Sequence, residues 1–137
     1  MINIEPDRYL TAWTGLSKRE LKDIVRSVAS ELGSIDPDID ILISDDSSMR
    51  DFNQRFLGME GPTNILSFPE NNPDMPQCLG QLIVNADAVR RESVLYGQES
   101  VSYMVRLMVH GILHLAGYDH GPDMDEFSDK IMLTYSV

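Results

Sequence analysis

A chain of 137 residues is long enough for one compact domain with a buried core. Its 42% hydrophobic and 24% charged residues are those of an ordinary globular protein, which excludes a disordered or low-complexity chain. A formal net charge of −11 excludes nucleic-acid binding by bulk attraction, so a polyanion would have to meet a local patch of Lys and Arg.

No apolar run reaches the length of a membrane span, and the first residues lack the basic and then apolar layout of a signal peptide. The single cysteine, Cys78, cannot form an internal disulfide. The expected compartment is the cytoplasm, with no membrane partner.

In chain order, residues 2–5 alternate as a short first strand, and residues 7–16 carry no readable pattern. Ser17 and Glu20 form a capping box, and Leu21, Ile24, Val25, Val28 and Leu32 recur at helical spacing up to Gly33, which predicts a helix over 17–32. Ile39, Ile41 and Ile43 alternate as a strand. Asp45, Asp46 and Ser47 then offer capping oxygens to a short helix carrying Met49, Phe52 and Phe56 and ending at Gly58.

Residues 63–68 and 79–84 read as two further strands joined as a hairpin, with a loop rich in Pro and Asn between Pro69 and Cys78. Asn85 caps a helix that runs to about Tyr96 and breaks at Gly97. Another helix covers 99–116, and a last one starts at Pro122 with Met124, Phe127 and Ile131 on one side. Strands early and helices late predict a single α+β domain over 1–137, with a small mixed sheet of about four strands.

All three histidines fall within His110 to His120, spaced His-x-x-x-His-x-x-Gly-x-x-His. Counting 100° per residue from Val101, the residues Met104, Val105, Met108, Ile112 and Leu115 gather within about 60° as a core-facing stripe. His110 and His114 fall near 180° and 220°, on the opposite flank with Tyr103 and Leu107, and so are expected to face something other than the main core.

Residues four apart lie one above the other, so two imidazoles reach one ion, and Gly117 supplies the left-handed stop that returns His120 toward them. Three protein ligands leave a fourth position for water, the pattern of a catalytic zinc rather than a closed structural site. Nickel, copper and iron also suit three imidazoles. The spacing is that of metzincin proteases, except that Gly111 stands where they have a general-base Glu, which makes peptide hydrolysis the runner-up.

The run from His110 to His120 resembles the signature His-Gly-x-Leu-His-Leu-x-Gly-Tyr-Asp-His of the bacterial YbeY endoribonucleases. Pro62 to Pro69 is similar to that family's Pro-Thr-Asp/Asn-Val-Leu-Ser-Phe-Pro strand, and Leu79-Gly80 to the opening of its next strand. The resemblance spans about residues 39–127. It implies a zincin-like α+β fold, with one zinc per chain held by His110, His114 and His120.

The implied activity is metal-dependent endoribonuclease action on single-stranded RNA, in ribosomal RNA maturation at the 3′ end of the small-subunit RNA and in ribosome quality control. Implied partners are the small ribosomal subunit and its assembly factors, with no DNA expected. A non-catalytic assembly or RNA-binding factor with a structural metal is the alternative.

Two positions depart from the family: Leu57 stands where it has a functional Arg, with Arg55 two residues earlier, and Gly80-Gln81 stands where Gly-Asp is usual. If RNA is the substrate, Arg106, one turn before His110, borders the metal face and could contact a scissile phosphate; its plainer role is an ion-paired surface residue. Asp119 could orient a ligand imidazole or act as a base, though Asp is also good turn chemistry. Thr63, Asn64 and Ser67 could line the cleft. Lys18, Lys22 and Arg26 form a row that could track an RNA backbone, although such a row is more often only a solvated face.

Overall fold

Alternating isoleucines build the centre of the molecule. The computed structural model describes residues 1–5, 16–57, 64–118 and 122–135. Its strands are β1 (Ile2–Glu5), β2 (Asp38–Ser44), β3 (Ile65–Pro69) and β4 (Cys78–Asn85). Its helices are α1 (Lys18–Glu31), α2 (Asp46–Phe52), α3 (Ala86–Leu95), α4 (Ser100–Leu115) and α5 (Pro122–Tyr135).

Ile39, Ile41 and Ile43 of β2 are 2%, 2% and 4% exposed and enter one core, as period-two geometry requires. β1 and β4 flank β2 in parallel, and β3 pairs antiparallel with β4 at the edge, giving the order β1-β2-β4-β3. The α+β class, the four-stranded mixed sheet and the hairpin agree with the sequence reading. The two hairpin strands extend one residue further than expected at Pro69, Cys78 and Asn85, while Asn64 precedes β3 as a bend and Thr63 lies outside the described residues.

The helix ends follow local chemistry. Ser17 Oγ accepts from the Glu20 amide at 3.1 Å, while the Glu20 carboxylate accepts from the Ser17 amide at 3.1 Å, completing the capping box of α1. Asp45 and Asn85 cap α2 and α3 by accepting from the Ser48 and Ala88 amides at 2.8 and 3.2 Å. One helix departs from expectation: α2 ends at Phe52 and continues as a π-helical turn over Asn53–Leu57, rather than as one α-helix to Gly58. That turn holds Arg55, so an α-helical wheel does not locate it.

α1 and α4 pack on one face of the sheet and fill the main core with Leu21, Val25, Val28, Met104, Met108 and Ile112. The other face carries a smaller cluster, Met49, Leu66 and Ile83, with Leu42, Phe52 and Phe68 against it. The helical wheel of α4 needs correction. Tyr103 and Leu107, expected away from the main core, are each 8% exposed and belong to it, because α4 contacts α1, α3 and α5 as well as the sheet. Val101, at the centre of the expected stripe, lies in the first helical turn and is 39% exposed. No helix among the described residues is long and apolar enough to cross a membrane.

Candidate metal centre

The C-terminal turn of α4 determines how His114 is presented. Ala116 closes the helix and Gly117 adopts φ +97°, a left-handed conformation that favours glycine. The Tyr118 amide donates to the Leu113 carbonyl and the Gly117 amide to the His114 carbonyl, each at 3.0 Å, which is the Schellman pattern. This turn brings the Tyr118 carbonyl back to 3.0 Å from Nδ1 of His114. With Nδ1–H donating there, the imidazole lone pair resides on Nε2, the arrangement a metal-ligating histidine needs.

His110 lies one turn earlier on the same half-buried flank of α4. The hydroxyl of Ser128, buried in α5 at 1% exposure, stands 3.4 Å from Nε2 of His110. Sequence reasoning missed Ser128 because only the packing of α5 on α4 brings it near. His120 and Asp119 lie outside the described residues, and among the described residues no three His, Cys, Asp or Glu side chains group as a metal site. The donor chemistry of His110 and His114 nevertheless fits a borderline-soft divalent ion such as zinc.

Gly111 has a packing explanation. A Cβ there would lie 2.7 Å from Ile65 Cδ1 and 2.9 Å from Leu82 Cδ2, so this point of α4 is where the helix touches the sheet. A carboxylate at 111 would be driven into apolar surroundings, which counts against a protease-like base at this position.

The other expected residues divide by location. Arg106 extends from α4 toward Asp129 of α5, with Nη1 4.0 Å from Oδ1 and side chains 41% and 73% exposed. Such an exposed pair is worth about 0–1 kcal/mol and holds Arg106 only weakly. Ser67 shares with Ile65 the face of β3 turned toward α4, two residues along the strand.

Asn64 is engaged elsewhere: its amide donates to Glu92 at 3.4 Å, and Glu92 also accepts from the Tyr103 hydroxyl. Burial first, and then the neighbouring Glu92 carboxylate, push the Tyr103 pKa up to about 12. Tyr118 packs its ring against Phe127 at a centroid distance of 5.7 Å, and Met108 is fully buried; both act as packing residues. Gln81 alternates with Leu82 along β4, so it lies on the sheet face away from α4 and lines a recess of about 630 Å³ with Glu5, Asp40 and Phe68. The departure at Gln81 therefore leaves the histidine face untouched. Lys18, Lys22 and Arg26 lie along α1.

Comparison with known proteins adds three findings. The model of the family described as endoribonuclease YbeY matches residues 10–135. The protein named endoribonuclease YbeY of Oleidesulfovibrio alaskensis is 39% identical over 88% of this chain and 85% of its own, and that of Nitratidesulfovibrio vulgaris is 34% identical over 83% and 82%. A Thermotoga maritima protein solved in solution superposes with a TM-score of 0.70 at 24% identity, covering 96% of this chain and 87% of its own, which supports the fold. With its histidine turn and sheet as described, the chain belongs to the endoribonuclease YbeY family.

Proposed function

We propose that the protein is a zinc-dependent endoribonuclease that cuts single-stranded RNA. Its proposed substrate is ribosomal RNA at the 3′ end of the small-subunit RNA, in maturation and quality control, with the small ribosomal subunit and its assembly factors as cytoplasmic partners. Family membership supports the RNA chemistry. The observation that carries the metal is the bond from His114 Nδ1 to the Tyr118 carbonyl, which directs the Nε2 lone pair outward one turn from His110.

Zinc, when bound, supplies Lewis acidity toward a phosphoryl oxygen and lowers the pKa of a coordinated water to roughly 7. The chain's own residues do the remaining work in this reading. His110, His114 and His120 hold the ion, and the Tyr118 carbonyl keeps His114 in the ligating tautomer. Arg106 exchanges Asp129 for the scissile phosphate and orients it. Asp119, next to His120 in sequence, is the carboxylate assigned to hold the proton.

The test is cleavage of a single-stranded oligoribonucleotide by purified protein. Chelator should abolish it and added zinc restore it. Loss of even a ligand's hydrogen-bond partner costs about 10–100-fold, so His114→Ala should cost more than that. Cleavage that persists through both treatments would sink the metal mechanism. Leu57 at the family's Arg position favours one second reading, a non-catalytic assembly factor, for which wild-type protein binds ribosomal particles and shows no turnover on RNA.

A further inference from the structure

We propose that the basic flank of α1, formed by Lys18, Arg19, Lys22 and Arg26, is the surface along which a single RNA strand is held by its phosphates. This rests on the ribonuclease reading above. Counting 100° per residue from Lys18, the four basic residues fall between 0° and about 100° on the helix, while Asp23, Glu20 and Glu31 fall between about 140° and 220°. A surface helix that only needs solubility interleaves opposite charges four residues apart. Here, at that spacing, Lys18 with Lys22 and Lys22 with Arg26 are like-charged, and only Arg19 with Asp23 is opposite.

Lys18 is also the first helical residue, where a cation opposes the helix dipole. The same four side chains and Asp23 line one shallow recess of about 520 Å³. The Arg26–Asp23 pair at its margin is weak, with side chains 59% and 64% exposed. In a chain of net charge −11, four of the 11 Lys and Arg lie within nine residues, so a polyanion repelled elsewhere is drawn to this flank. From Lys18 to Arg26 the row rises about 12 Å, enough to meet more than one phosphate.

The test is the salt dependence of binding to a single-stranded oligoribonucleotide. It compares wild-type protein with the triple variant Lys18→Ala, Lys22→Ala, Arg26→Ala and with the length-preserving triple Lys18→Gln, Lys22→Gln, Arg26→Gln. Each lost phosphate contact removes about 0.7 from the slope of log K against log salt, so both triples should lose about 2 from the slope and bind roughly 100-fold more weakly near 0.1 M salt. The control Arg50→Ala, Arg90→Ala, on α2 and α3, should change the slope by less than half as much. Wild-type binding with a slope that both triples leave unchanged overturns the basic flank alone. Wild-type protein that neither binds nor cuts RNA overturns the ribonuclease reading and this one with it.

Discussion

At position 111 a single methyl group decides between two pictures of α4. If Gly111 marks only a missing base, Gly111→Ala is harmless; if it is the point where helix and sheet touch, the methyl group must displace Ile65 and Leu82. Overpacking of this kind costs about 1–3 kcal/mol, against about 1 kcal/mol gained by replacing a mid-helix Gly with Ala, so a urea titration should show the Ala variant destabilised by up to about 2 kcal/mol. An unchanged midpoint would mean that the two side chains move aside freely.

Tyr103 gives a second expectation at this scale. Its pKa is raised in the folded protein, so its contribution to stability is complete below its ordinary pKa of 10 and is lost as pH rises from 10 to about 12. An ultraviolet titration should find one tyrosine ionising near pH 12, absent in Tyr103→Phe. The absence of any late-ionising tyrosine in the wild type would remove the half-buried Tyr103–Glu92 pair. The sequence made Gly111 visible as a departure from the protease motif, but not as a contact, because Ile65 and Leu82 are far away along the chain.

Among the elements, the start of α2 is tied to the end of β4 and to α3. Asp46 accepts from Arg91 at 2.9 and 3.3 Å and from Asn85 at 2.8 Å, and these partners, Arg91 first, hold its carboxyl below the ordinary 3.8. A depressed carboxylate stabilises the fold above its unfolded pKa and loses that contribution as pH falls through the folded value. Wild-type protein should therefore lose stability below about pH 3.8 more steeply than Asp46→Asn, as measured by chemical denaturation at a series of pH values. Parallel acid limbs would show that the clamp does not contribute.

Helix and strand identities were legible because their signals are local: the Ser17–Glu20 box, the Asp45 and Asn85 caps, and stops at Gly33, Gly97 and Gly117. The burial of Tyr103 and Leu107 was not, because it depends on α4 being covered by several elements at once. The π-helical turn at Asn53–Leu57 has no sequence signal that we can identify.

For the whole molecule, the sheet places α4 at the centre, and the Schellman turn at its end orients His114. The placing of His110 and His114 on one flank of α4 was readable because the i, i+4 spacing and the Gly117 stop are local; the His114–Tyr118 bond, equally local, was not foreseen. Ser128 beside His110 was not, since α5 reaches it only through tertiary packing. The most direct test of a zinc site at this turn is elemental analysis of the purified protein beside a variant carrying His110→Ala and His114→Ala. The account predicts about one equivalent of zinc per wild-type chain and none in the variant, from three protein ligands at one ion. Wild-type protein that carries no metal and takes up none when zinc is supplied would contradict it.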